Sequence, residues 1–184
     1  GRFAMPRPAA CMRAAAENPT PVTLELGGKS PAILAPGFPI DVAARRIMLG
    51  KCLNAGQTCV AAKRVFVEAS VYEPFLAALT KAVGALKVGP GTDDTTDIGP
   101  MIRPEQRVTI AAQHADAMAR GAREALRLPT PEGDCFFAPT ILTDVPPDSR
   151  VMTEETFGPL LPVTSVRDVD EAIARANDTT QGLS

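Results

Sequence analysis

Residues 64–86 read RVFVEASVYEPFLAALTKAVGAL. Arg64 to Glu68 is a short β-type run, and Ser70 with Glu73 makes the Ser-x-x-Glu pattern that opens a helix. Val71, Phe75, Leu79, Val83 and Leu86 then recur at three- and four-residue intervals, which puts them on one helical side. A strand that hands directly to an amphipathic helix predicts one unit of an α/β domain, and the same alternation continues in both directions. Upstream, Val22 to Leu26 alternates with Thr23 and Glu25 as a strand would and ends at Gly27-Gly28. Ala32 to Ala35 is a second apolar run, closed by Pro36-Gly37. Asp41 offers an N-cap for a helix to about Asn54, carrying Val42, Met48, Leu49, Cys52 and Leu53 and stopped by Gly56. Downstream, residues 87–103 (KVGPGTDDTTDIGPMIR) are rich in Gly, Pro, Asp and Thr and predict a long surface loop. Pro104 suits the first position of a helix that runs through Val108, Ala112, Ala115 and Met118 to Gly121. Phe136 to Leu142 and Leu160 to Val166 predict two more strands, while Glu124 and Arg127 leave residues 122–128 ambiguous. Asp168 with Glu171 is another capping pattern, ahead of Val169, Ala172, Ile173 and Ala176.

A length of 184 residues bounds the chain to about one domain. Its 19 Lys and Arg against 21 Asp and Glu leave a formal charge of −2, without the basic footprint that nucleic acid requires. Hydrophobic residues at 45% and charged residues at 22% are those of a globular chain. No apolar run is long enough for a membrane span. Pro6, Pro8 and the scattered Arg2, Arg7 and Arg13 leave no apolar core for a secretory signal, and Gly182-Leu183-Ser184 ends in a begun turn, as a cut chain would. Cys11, Cys52, Cys59 and Cys135 form no Cys-x-x-Cys pair and His114 is the lone histidine. Neither a metal site nor a disulfide scaffold is therefore expected, and a reducing cytoplasm is the default location. Serine or cysteine hydrolase chemistry would need His114 as its base, and that residue reads as a helix-surface or partly buried group. Asp93, Asp94 and Asp97 read as a solvated loop, lacking the order of a calcium site.

Three short segments could carry chemistry. In Glu25-Leu26-Gly27-Gly28-Lys29-Ser30-Pro31 a carboxylate stands beside a Gly-Gly turn. It either faces a cleft, as residues at strand ends often do, or is an exposed acid before an ordinary turn. In Asn54-Ala55-Gly56-Gln57-Thr58-Cys59-Val60-Ala61 the cysteine lies just past a helix end among polar and small residues. Most cysteines are inert core filler, which suits Cys52; Cys59 differs in its loop-like setting. In Glu154-Glu155-Thr156-Phe157-Gly158-Pro159 a carboxylate and a ring lie close together at a turn. Taken alone, that stretch reads equally as a solvated acidic turn with Phe157 plugging the core.

Together these segments resemble the catalytic domain of the NAD(P)-dependent aldehyde dehydrogenase superfamily. Glu-Leu-Gly-Gly-Lys, Gly-Gln-Thr-Cys and Glu-Glu-x-Phe-Gly-Pro occur there in this order and at similar separations. Gly133 to Leu142 (GDCFFAPTIL) is similar to the family's Gly-x-x-x-x-x-Pro-Thr region, so the likeness covers nearly all of residues 18–184. Met12-Arg13-Ala14-Ala15-Ala16 and Thr20-Pro21-Val22-Thr23 resemble the coniferyl-aldehyde-dehydrogenase-like branch. The resemblance implies an open, mostly parallel sheet flanked by helices. It divides the chain into residues 1–17, the remnant of an upstream helical segment interrupted by Pro6 and Pro8, and residues 18–184, a catalytic domain truncated at its C-terminal end.

The resemblance also implies roles. Cys59 would be the nucleophile that forms a thiohemiacetal and then, after hydride transfer to NAD or NADP, an acyl-thioester. Glu25 would be the base that activates the hydrolytic water, giving a free carboxylic acid rather than a CoA ester. Glu155 would hold the nicotinamide ribose with Phe157 packed beside it, and the Leu26 carbonyl would meet the carboxamide. The Cys59 N–H would form half of an oxyanion hole whose other half, like the main cofactor domain, would come from outside this chain. A small-molecule aldehyde is the implied substrate and a homo-oligomer the implied complete protein, with no nucleic-acid or membrane partner. The chain by itself is expected to be inactive as a dehydrogenase and to self-associate. A weak thiol esterase, or a non-catalytic folding or association module, is the alternative.

Overall fold

The computed structural model describes residues 8–182. The readings that rest on Arg2, Pro6, Arg7 and the Leu183-Ser184 ending lie outside the described residues. Five strands form one sheet in the order β1-β2-β5-β4-β3. They are β1 Pro31–Leu34, β2 Arg64–Glu68, β3 Arg123–Arg127, β4 Thr140–Thr143 and β5 Leu160–Val166. β1, β2, β5 and β4 run parallel, and only the edge strand β3 is antiparallel, against β4. The helices are α1 Pro8–Glu17, α2 Ile40–Cys52, α3 Ala69–Gly84, α4 Pro104–Ala119, α5 Arg150–Thr153 and α6 Val169–Asn177. Among the described residues no helix is long and apolar enough to cross a membrane.

A parallel strand covered on both faces reads as a nearly continuous apolar run, and the centre of β2 does: Val65, Phe66 and Val67 are fully buried between Arg64 and Glu68. Because successive side chains point to opposite faces, they serve two cores. Val65 and Val67 pack with Phe75, Leu79 and Val83 of α3. Phe66 packs on the other side with Ile110 and Ala117 of α4 and Ala172 and Ala176 of α6. The α3 stripe read from the sequence is thus the lid of one face.

Several local expectations are corrected. Val22 to Leu26 is no strand; Val22 and Leu26 are 44% and 46% exposed, and alternation cannot make a strand where no neighbour pairs with it. Pro39, not Asp41, is the N-cap of α2, leaving Asp41 in the first turn where its charge suits the helix dipole. The Ser70 hydroxyl donates to the Glu68 carboxylate rather than capping, because α3 already starts at Ala69. Only Thr140–Thr143 of the stretch 136–142 joins the sheet ladder, and it runs one residue further. Pro8 begins the helical segment, where its missing N–H is tolerated, and does not interrupt it. The ambiguous 122–128 stretch contains the exposed, bulged edge strand β3, and α5 is too short to announce itself. Pro104 starts α4 as expected, and the Asp168 side chain accepts from the Glu171 N–H at 2.8 Å.

Lys51 is 2% exposed and its Nζ has no hydrogen-bond partner among the described residues. Burial first, and then Lys63, lower its pKa from 10.5 to about 7; burial and neighbouring cations take Lys29 to about 6. A lysine with a depressed folded pKa sheds its proton on folding. Above that pKa and below 10.5 the unfolded chain therefore holds more protons, and stability rises with pH. Cys52, its thiol pushed up to about 11 by burial, reverses the trend only where the unfolded thiol ionises, near 9. In urea unfolding between about pH 7 and about pH 8.5, the protein should gain stability as pH rises. Lys51→Met should be the more stable at the lower end, with a slope smaller by up to 1.4 kcal/mol per pH unit, roughly one proton's worth. Equal slopes in the two proteins would refute the assignment.

Candidate active site

The Cys59 loop starts where α2 ends. Asn54, Ala55 and Gly56 adopt left-handed conformations in succession, with φ of 51°, 54° and 73°. Such backbone costs a non-glycine residue roughly 1–2 kcal/mol, so something must hold it. Asn54 Nδ2 donates to the Gln57 carbonyl at 3.3 Å and Gln57 Nε2 returns a bond to the Asn54 carbonyl at 3.1 Å. Gln57 Oε1 then accepts from the Ile102 N–H at 2.9 Å, tying the turn to the segment ahead of α4. Gly56 lies so close to the third segment that a Cβ there would stand 2.4 Å from the Gly158 carbonyl oxygen. Cys59 follows, half-buried, and its N–H has no acceptor among the described residues. Cys52 is buried, its thiol pushed up by desolvation, as suits filler. Cys11 and Cys135 are also half-buried, so exposure does not single out Cys59.

The Gly27-Gly28-Lys29 stretch is clasped to the same third segment. The Gly28 N–H donates to Glu155 Oε1 at 3.1 Å, and a Cβ on Gly27 would stand 2.7 Å from Glu155 Oε2. Lys29, 1% exposed, donates through Nζ to the carbonyls of Val151 and Glu154, each at 2.5 Å, and to Thr156 Oγ1 at 3.0 Å. Glu25 and Leu26 sit on the exposed run just before this clasp, and Glu25 has no polar partner among the described residues. The three segments are therefore neighbours, joined through Gly27–Lys29, Gly56 and Glu154–Gly158. His114 plays no part here: it meets Glu124 at 2.6 Å and stands edge-on to Phe137.

Sequence reading passed over Lys63. Its side chain is fully buried, and Nζ donates to the Thr58 carbonyl at 2.9 Å and to the Thr156 carbonyl at 3.3 Å. The same nitrogen lies 3.6 Å from Glu155 Oε1 and 4.6 Å from the centre of the Phe157 ring. Burial lowers its pKa, opposed by Glu155 and then by Cys59. The signal available beforehand was a lysine inside the small and apolar run Val60-Ala61-Ala62-Lys63-Arg64-Val65, a setting from which a flexible cation is usually absent. Arg64 beside it is equally buried: Nε and Nη2 reach the Lys29 carbonyl, and Nη1 and Nη2 reach the Arg175 and Ala176 carbonyls at the end of α6.

Next to this junction is a cavity of about 610 Å³ bounded by Asn54, Gln57, Pro100, Ile102, Arg103, Gln106 and Phe157. Side-chain amides, one guanidinium and an aromatic face suit a polar organic ligand. Among the described residues no group of three or more His, Cys, Asp or Glu could hold a metal ion.

The model of the aldehyde dehydrogenase family matches residues 9–184. The chain is 41% identical over 174 residues to the NADP(+)-dependent succinate-semialdehyde dehydrogenase GabD of Escherichia coli (strain K12), covering 94% of this chain and 36% of that protein. Among solved structures, succinate-semialdehyde dehydrogenase from Burkholderia pseudomallei superposes with a TM-score of 0.87 at 40% identity, covering 91% of this chain and 35% of that one. Lactaldehyde dehydrogenase from Escherichia coli gives 0.86 at 38% identity, covering 93% and 36%. The chain thus spans little more than a third of the relatives it matches.

Gly56→Ala combines a left-handed backbone with a collision against a carbonyl, and should lose about 2 kcal/mol or more in urea unfolding. Gly50→Ala, in helix α2 with nothing within 4 Å of the added carbon, should gain up to about 1 kcal/mol. A Gly56→Ala protein as stable as the parent would show that the two loops are not packed this way.

Proposed function

The chain belongs to the aldehyde dehydrogenase family, and from that membership we propose that it carries the covalent part of an NAD(P)-dependent oxidation of an aldehyde to a carboxylic acid. The carrying observation is the packing of the Cys59 loop on the segment that bears Glu155 and Phe157, through Gly56 and Lys63. Residues 18–184 are assigned to the catalytic domain and α1 to an upstream helical segment. The three relatives are named for succinate semialdehyde and lactaldehyde. The coniferyl leaning of residues 12–23 is therefore not carried into the proposal.

In this reading the Cys59 thiolate forms a bond to the aldehyde carbon as the carbonyl π pair moves to oxygen. The Cys59 N–H, which has no acceptor among the described residues, donates to that oxygen where charge develops. NAD(P)+, when bound, accepts the hydride. The residues present fit its nicotinamide end: the Glu155 side chain is 28% exposed, and the absent Cβ of Gly27 leaves its Oε2 approachable. Phe157 supplies an apolar wall whose carbonyl is pinned by Gln106 Nε2 at 2.9 Å. Glu25, exposed and two residues before Gly27, takes a proton from the water that attacks the resulting thioester. The carbon–sulfur bond breaks, the acid departs and the thiol is restored. A homo-oligomeric complete protein in a reducing cytoplasm belongs to the same proposal, as does self-association of this chain.

Acylation and hydrolysis need no cofactor, so an activated ester such as p-nitrophenyl acetate tests both roles in this chain. Cys59→Ser should abolish p-nitrophenolate release. Glu25→Gln should keep a rapid first release of about one equivalent and slow later turnover by about 10²–10⁴. Undiminished hydrolysis by Cys59→Ser would defeat the proposal. With an aldehyde and NAD(P)+, these 184 residues alone should yield little NAD(P)H.

A further inference from the structure

We propose that Leu49, Leu53 and Val60 form the wall along which the aldehyde's substituent lies, and that they select an aldehyde with an apolar tail over one that carries a carboxylate. The inference deepens the reading of Cys59 as nucleophile by naming the substrate class, and it rests on that reading.

Three large apolar side chains border the Cys59 loop without being covered by the rest of the domain. Leu49, Leu53 and Val60 are 61%, 70% and 65% exposed, whereas Lys51 and Cys52 between the two leucines are buried. The Leu53 N–H, at the end of α2, still donates to the Leu49 carbonyl, so the leucines stand one turn apart on the solvent side of the helix. The chain then makes its left-handed turn, passes Cys59 and Val60, and returns to α2, where the Ala62 N–H donates to the Gly50 carbonyl at 3.2 Å. Leu49 precedes one end of that closing bond by one residue, and Val60 precedes the other by two. Cys59 thus sits in a closed excursion of the chain whose two stems both present uncovered hydrocarbon.

Single exposed leucines are ordinary on a protein surface; three of them bordering one nucleophile are the pattern of a ligand wall. The carbon that Cys59 attacks carries the aldehyde's substituent, so that substituent has to lie beside this loop. An alkyl tail covered there gains about fourfold in binding for each methylene removed from water. A carboxylate in its place would give up water without gaining a cation. Lys51 is buried, and Lys63 is committed to Thr58, Thr156 and Glu155. On the exposed side of α2 the preceding cation is Arg46, about two turns before Leu53. The polar side chains of the turn are also engaged elsewhere: Asn54 and Gln57 bond each other's carbonyls and bound the cavity they share with Arg103 and Phe157.

Two alkylating reagents that share one electrophile read this wall without requiring turnover: N-hexyl iodoacetamide and 4-(iodoacetamido)butanoate. Their rates are measured on the Cys59 peptide by mass spectrometry, with N-acetylcysteine in the same mixture giving the reference ratio. In the parent protein the hexyl reagent should be favoured at Cys59 by about tenfold over that reference. Leu53→Arg, at an exposed position, removes hydrocarbon and supplies a cation, and should cut the preference about tenfold. Leu49→Arg, one turn away, should shift it in the same direction. A parent ratio equal to that of N-acetylcysteine, or a ratio unmoved by either variant, would overturn the proposal. The ester assay keeps the two readings apart: hydrolysis retained by Cys59→Ser defeats the nucleophile, whereas a tail ratio without preference defeats only the wall.

Discussion

Four basic side chains are buried among the described residues. Three of them, Lys29, Lys63 and Arg64, are held there by backbone carbonyls drawn largely from distant parts of the chain, while Lys51 has no such partner and its pKa is pushed down instead. Lys29 takes those of Val151 and Glu154, Lys63 those of Thr58 and Thr156, and Arg64 those of Lys29, Arg175 and Ala176. A carbonyl so engaged cannot drift, because leaving would strand both an acceptor and a charge away from water. Segments more than ninety residues apart are thereby held in register at the C-terminal end of α2 and the start of β2. The close approach leaves room for no side chain at Gly27 or Gly56, where an added carbon would meet Glu155 or the Gly158 backbone.

That constraint explains why the parts of a site can be recognised in a sequence while its assembly cannot. β2, β5, α3 and α4 were legible because their apolar periodicity or a first-turn proline is local information, and Asp168 caps α6 as its spacing implies. Val22 to Leu26 misled because alternation describes a strand's faces and says nothing of a hydrogen-bonding partner. Ser70 misled for a related reason: a capping pattern shifted by a residue or two places the hydroxyl inside the helix, where it turns to Glu68 instead.

At the site, the Cys59 and Glu155 segments were visible as loops and the Glu25 segment as a strand end running into a Gly-Gly turn, and the family likeness supplied their joint meaning. Lys63 was not visible. Its importance lies in acceptors contributed by Thr58, Thr156 and Glu155, and nothing within five residues of sequence marks the latter two as its neighbours. Glu25 is the converse case, prominent as a motif carboxylate yet exposed and without a polar partner among the described residues. A base that meets its water only when a thioester is present needs no partner beforehand.

The most direct measurement is the position of the covalent intermediate. The protein is acylated with an activated ester, quenched in acid and digested, and the adduct is located by mass spectrometry. A single acyl group on the Cys59-containing peptide is the expected result. Acyl groups on Cys11, Cys135 or a surface lysine, with Cys59 unmodified and reduced, would contradict the assignment of this loop as the reactive centre.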